Sequence, residues 1–197
     1  MRNLLFLFII PLFGFGQQNL HPSDFKISCS CELKKTNLSN TENDYLKKTM
    51  QDVTGYKCIE KPYLLPKSNN ILINSEIRVN IYTFREPLRV LEQKALINMM
   101  VDLYNNGNYP DRFVEQKTFN NQPAMTELLI QEVANGLRVE IKETIFSTVN
   151  SAGVAKQQLT IAIDSTISGA INSEDEFMHC ISVLSLELSD LINSLAD

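Results

Sequence analysis

Met125-Thr126-Glu127-Leu128-Leu129-Ile130-Gln131-Glu132-Val133-Ala134-Asn135-Gly136-Leu137-Arg138-Val139-Glu140-Ile141-Lys142 admits two structures, and the architecture turns on which one forms. Met125 to Ala134 can be a helix stopped by Gly136, because glycine closes a helix in a left-handed turn at no steric cost. The same residues can be the first arm of a hairpin turning at Asn135-Gly136, since both residue types tolerate positive φ. The second arm favours the hairpin. Leu137, Val139, Ile141, Ile145 and Val149 fall on one side, and Arg138, Glu140, Lys142, Thr144 and Thr148 on the other. That period of two belongs to a strand with one buried and one wet face.

Working outward, Ile77, Val79, Ile81 and Thr83 alternate with Arg78, Asn80, Tyr82 and Phe84, and Leu159, Ile161 and Ile163 alternate with Thr160, Ala162 and Asp164. Both segments read as strands. Tyr56 to Glu60 and Phe113 to Phe119 are shorter candidates, the second with Phe113, Glu115, Lys117 and Phe119 on one side. Phe25 to Leu33 is a further short candidate. Three segments read as helices. Ser39 and Glu42 form a capping box ahead of Leu46, Met50 and Val53, with Gly55 as the stop. Pro87 opens a second helix, whose half from Ala95 to Tyr104 is apolar nearly all round and is expected to pack deeply; Asn105-Asn106-Gly107 ends it. Ser173 and Glu176 cap a third, in which Phe177, Ile181, Leu184, Leu188, Leu191 and Leu195 repeat at steps of four and three. The expected fold class is α+β: an antiparallel sheet with long helices packed on its faces, an α/β/α sandwich.

The start of the chain has the layout of a secretory signal peptide. Met1-Arg2-Asn3 is positively charged, Leu4 to Phe13 is apolar apart from Pro11, and Gly14-Phe15-Gly16 offers small residues ahead of Gln17. An apolar run of about ten residues is too short to span a bilayer, which takes roughly 20. The expected division is a signal over 1–16, a leader with the Cys-x-Cys segment over 17–38 and one α+β domain over 39–197. Removing 1–16, and Arg2 with it, leaves 181 of the 197 residues and moves the net charge from −5 to −6. The expected location is secreted or periplasmic, with no transmembrane segment after cleavage. The acidic balance argues against general binding of nucleic acid or anionic membrane, which need a basic surface.

Export permits disulfides among Cys29, Cys31, Cys58 and Cys180. Cys29 and Cys31 are too close to pair easily with each other, so a bridge is expected to reach Cys58 or Cys180; Cys180 also fits a buried core thiol. No cysteine spacing matches a strong zinc motif, and no metal or cofactor is expected. The two histidines suggest no chemistry. His21 lies in the leader, and His179 and Cys180, adjacent on a helix, point about 100° apart and cannot act as a nucleophile–base pair. Glu174, Asp175 and Glu176 suit a helix N-terminus, where negative charge meets the positive end of the dipole. No catalytic residue is assigned, and no phosphate loop or nucleophile elbow is present.

Asn121-Gln122-Pro123-Ala124 ahead of the meandering strands resembles the short turn of the PsbP-like superfamily. The resemblance covers about residues 71–188. It takes in the segment Ala155 to Asp164 and the closing helix that begins Glu174-Asp175-Glu176-Phe177. It implies a non-enzymatic module without cofactor, similar to members that assist subunit assembly, bind a small GTPase or act as periplasmic lipoproteins of the DcrB type. Tyr82, Phe84, Phe119 and Phe146 lie on otherwise polar strand faces and are a candidate binding face, unless a helical layer covers them. The expected function is an exported binding or assembly module with an envelope protein as partner. The alternatives are a secreted hydrolase-like enzyme and a carrier of a small apolar ligand.

Overall fold

Gln122–Val133 and Gly136–Thr148 are both strands, and the register pairs Val133 with Gly136, Ile130 with Val139 and Leu128 with Ile141. The decisive stretch is therefore a hairpin. Its two loop residues are Ala134 and Asn135, one position earlier than expected, and Gly136 opens the return strand at φ +147°. Any β-carbon there would fall against the Ile167 carbonyl of the neighbouring strand, so glycine is required by close approach as well as by φ. The helical look of Leu128-Leu129-Ile130 has a simple cause. Ala124 and Met125 are both fully buried although they point to opposite faces, and a strand covered on both sides loses its polar alternation.

The computed structural model describes residues 31–36, 50–68, 70–107, 109, 111–119, 122–148 and 153–193. The signal-like segment 1–16, the leader with His21, Cys29 and the proposed helix start at Ser39 lie outside them. In chain order the elements are β1 (Lys34–Thr36), β2 (Met50–Ile59), β3 (Tyr63–Leu64), β4 (Leu72–Leu88), α1 (Val90–Asn106), β5 (Arg112–Phe119), β6 (Gln122–Val133), β7 (Gly136–Thr148), β8 (Ala155–Ser168) and α2 (Glu174–Asn193). All strands join one antiparallel sheet in the order β1-β2-β4-β8-β7-β6-β5, with β3 added beside β4. The chain leaves the middle of the sheet after β4, crosses one face as α1, reaches the far edge at β5, and returns by meander to β8 beside β4.

The expected α/β/α sandwich is corrected by this arrangement. Among the described residues 56% are strand and 26% helix, and the two helices run 17 and 20 residues against an eight-stranded sheet. The molecule is mainly antiparallel β. One expected helix is in part strand: Met50, Val53 and Gly55 belong to β2 and pair with Phe84, Tyr82 and Asn80 of β4. Pairing with β4 overrides the local helical spacing. Of the candidate strand Phe25 to Leu33, the described part, Cys31 to Leu33, precedes β1 and is not strand. Pro87 does not open α1 but stands near the end of β4, inside the register break between Thr83 and Leu88, where it interrupts no ladder bond. α1 starts at Val90, with the Arg89 N–H donating to the Glu92 carboxylate at 2.6 Å. It ends at Gly107, whose N–H donates to the Leu103 carbonyl at 2.9 Å.

The two faces carry two cores. Ile73, Ile77, Val79 and Ile81 of β4, Val139, Ile141 and Ile145 of β7, and Leu159, Ile161, Ile163 and Ile167 of β8 pack beneath Cys180, Leu184, Leu188 and Leu191 of α2. The stripe expected along α2 is the one that packs; Leu195 lies outside the described residues. Ser173 caps this helix, its Oγ accepting the Glu176 N–H at 3.2 Å, and the Glu176 carboxylate reaches back to the Asn172 N–H at 2.7 Å. On the opposite face a smaller core of Met50, Phe84, Met125, Phe146 and Ala155 lies under Ile97 of α1. Contrary to the expectation of deep packing, α1 buries only Gln93 and Ile97 and leaves Leu91, Met99 and Leu103 exposed.

Candidate functional site

α1 covers one end of its face, and the rest of that face is a lattice of charge. Strand register builds it. Glu76 of β4 stands opposite Asp164 of β8, which stands opposite Glu140 of β7. One row on, Arg78, Ala162, Lys142 and Glu127 align across β4, β8, β7 and β6. Ala162 is small, so the Arg78 guanidinium can lean across the sheet. Its Nη2 donates to Asp164 at 2.7 Å and to Glu140 at 2.9 Å. From the other side, Arg138 donates through Nε and Nη2 to Asp164 at 2.9 and 2.8 Å, and through Nη2 to Glu140 at 3.2 Å. Two arginines thus share two carboxylates in a closed ring, with both guanidinium side chains 36% exposed. The Asp164 hydrogen bonds, ahead of the charges of Asp164 and Glu140, hold the Arg138 pKa above its ordinary value despite burial.

Beside the ring lies a more deeply buried cluster. The Glu127 side chain is 3% exposed and pairs with Lys142 and, at 3.4 Å, with Arg112. The last turn of α1 roofs it with Tyr104: the Arg112 guanidinium sits 4.9 Å from the ring centre and the Lys142 ammonium 5.9 Å. Burial, with the neighbouring charges of Arg112 and Arg78, pushes the Lys142 ammonium down to about 8. On the α2 side, between β5–β7 and the helix, is a cavity of about 240 Å3 lined by Phe113, Glu115, Thr126, Leu128, Ile141, Ile181 and Ser185.

The candidate aromatic face is not gathered into one surface. Phe84 and Phe146 are buried and stacked at 6.4 Å under α1, and Tyr82 is half-buried beside them. Phe119 packs against the core on the α2 side. Of the cysteines, Cys31 and Cys58 form a disulfide, with Cα atoms 5.8 Å apart, and Cys180 is free and fully buried, its thiol pushed up by burial. The His179 ring nitrogen Nε2 lies 3.0 Å from the Pro66 carbonyl. Among the described residues no group of three potential ligands could hold a metal ion, and no helix is long and apolar enough to cross a membrane.

Sequence reasoning misses the lattice, although it puts Arg78, Arg138, Glu140, Lys142 and Asp164 on the polar side of their strands. The signal was the opposite charge at alternate positions, Glu76 with Arg78 and Arg138 with Glu140 and Lys142. Which strands lie side by side is needed to turn that alternation into a ring. Among the described residues, fold and site together define a mainly β protein with one helix on each face and an ion-paired surface on the part of a face left open. The chain matches no protein-family model, no curated protein and no solved structure.

Proposed function

We propose that this chain is an exported, non-enzymatic binding module that docks an acidic segment of an envelope protein on the open, charged part of its sheet. The observation carrying the reading is the Arg78–Arg138 ring. Each guanidinium is fixed by two carboxylates yet remains partly open to solvent, so a partner carboxylate meets donors that are already oriented. With Lys57, Arg112 and Lys142, the two arginines set five cationic side chains against Glu76, Glu127, Glu140 and Asp164, one positive charge in excess within a chain that is acidic overall, which favours an acidic partner. The Cys31–Cys58 disulfide suits an oxidising compartment. The assembly role implied by the PsbP-like resemblance belongs to the same class of function.

The carrier reading finds less support, because about 240 Å3 is below the roughly 300–1,000 Å3 of typical ligand pockets. For the enzyme reading, His179 faces a backbone carbonyl and Cys180 is closed off beneath the sheet.

The test is site-specific photo-crosslinking from Thr166, an exposed residue aligned with Arg138, using the disulfide-bonded chain in an envelope fraction. A discrete adduct is expected, weakened by salt. Arg78→Lys with Arg138→Lys keeps the charge but removes the forked geometry, and should cut the adduct severalfold without lowering the melting temperature. Leu91→Lys on α1 should leave it intact. An adduct indifferent to the arginine changes, or an apolar small molecule copurifying in stoichiometric amount, would count against this reading.

A further inference from the structure

The open edge of β5 has a sequence complementary to itself. Among the described residues β5 ends the sheet and is bonded on one side only, to β6. Ile130 N–H donates to the Asp111 carbonyl at 2.9 Å, which sets the phase of the ladder. Odd-numbered residues of β5 turn their backbone groups toward β6; Val114, Gln116 and Thr118 turn theirs to the open side. Pro123, opposite Thr118, fits this phase, because no bond to β5 is required of its nitrogen. Glu115, Gln116, Lys117 and Thr118 are exposed, and Phe113 is 59% exposed. An edge of this length with free outward groups is a template for another strand. The opposite edge, β1, is three residues long and carries Lys34 and Lys35.

We propose that β5 pairs antiparallel with β5 of a second copy of this chain, centred on Gln116, and so continues the sheet across a twofold axis. Three constraints select that register. The outward-facing residues must bond each other, which sets even-numbered residues of one β5 against even-numbered residues of the other. Each face must also continue onto the like face of the other copy, which excludes registers shifted by one residue. Among registers centred from Glu115 to Lys117, which keep the middle of the strand paired, charge then decides. Centring on Glu115 sets two glutamates opposite each other, and centring on Lys117 sets two lysines opposite. Centring on Gln116 sets Glu115 against the partner's Lys117 and Lys117 against the partner's Glu115. It also places the exposed Phe113 against the partner's Phe119. These fall at the non-hydrogen-bonded positions, where cross-strand side chains approach most closely. Lys117 already pairs with the nearly buried Glu143 at 2.8 Å, which holds it in place. The charged face of each copy stays open on the same side of the joined sheet, so the pairing does not depend on what docks there.

Sedimentation equilibrium of the disulfide-bonded chain lacking residues 1–16 tests this directly. A concentration-dependent monomer–dimer equilibrium is expected. Glu115 makes no hydrogen bond or ion pair among the described residues, so Glu115→Lys should leave the fold intact. By setting lysines against lysines it should weaken the dimer about tenfold. Gln116→Pro removes an outward N–H at the axis and should abolish the dimer. Gln116→Cys should give a covalent dimer on mild oxidation, since bonded antiparallel pairs lie about 5.5 Å apart, within disulfide range. A chain that stays monomeric at millimolar concentration, or a dimer unmoved by Glu115→Lys and not cross-linked through Gln116→Cys, would overturn the proposal.

Discussion

Glu187 shows how one side chain sets a pH dependence. It lies on α2, where its Oε1 accepts the Tyr63 hydroxyl proton at 2.6 Å. Burial raises its pKa above the ordinary 4.5, the Tyr63 hydrogen bond opposes this, and the charge of Glu60 adds to the rise. The folded chain therefore holds this proton at pH values where the unfolded chain has released it. On this account stability rises as pH falls from above the raised value toward 4.5, and the gain is lost again as pH climbs. Glu187→Gln keeps an oxygen for Tyr63 and removes the buried charge. Urea midpoints should show the variant equal to the native chain or up to about 1 kcal/mol more stable at neutral pH. The difference should shrink on acidification; one that grows toward pH 4 would contradict this assignment.

At the scale of an element, α1 is held by few contacts. Gln93 is fully buried and donates through Nε2 to the carbonyls of Leu88 at 2.9 Å and Gly153 at 2.7 Å, tying the start of the helix to the end of β4 and the approach to β8. Ile97 inserts into the small core with Phe84 and Phe146, while Leu91 is 80% and Leu103 61% exposed. Ile97→Ala should cost about 2–4 kcal/mol, since a cavity opens under the helix. Leu91→Lys and Leu103→Lys should each stay within about 0.5 kcal/mol. Guanidinium denaturation of the three variants decides it; a large loss from either lysine variant would mean that another surface covers α1. The apolar richness of Ala95 to Tyr104 suggested burial all round, but periodicity reports only how many apolar residues a helix has. How much sheet lies beneath it depends on which strands reach that far.

At the scale of the whole molecule, the Cys31–Cys58 bridge fastens the segment that carries β1 to β2, closing a loop over a sequence separation of 27. Loop-closure entropy puts its worth at about 3.5 kcal/mol. Intact mass should show two fewer hydrogen atoms, a mass lower by about 2 Da, before reduction than after it. A Cys31→Ser, Cys58→Ser chain should unfold at correspondingly lower denaturant; an unchanged midpoint would place the bridge outside the cooperative fold. Local pattern sufficed for the strands with clean alternation, from Ile77 to Phe84 and from Leu137 to Ile145. It also determined the apolar stripe of α2 with its Ser173 cap and the stop of α1 at Gly107. In each case the pattern is local, because side chains two, three or four residues apart share a face whatever lies opposite. Tertiary context made Met50 to Gly55 strand, because bonding to β4 outweighs the local spacing. It alone buried Phe84 and Phe146 under α1 and separated them from Phe119. It alone brought Arg78, Arg138, Glu140 and Asp164 into one ring, because ion pairs between residues 62 and 86 positions apart arise from strand order and register, which no local pattern encodes.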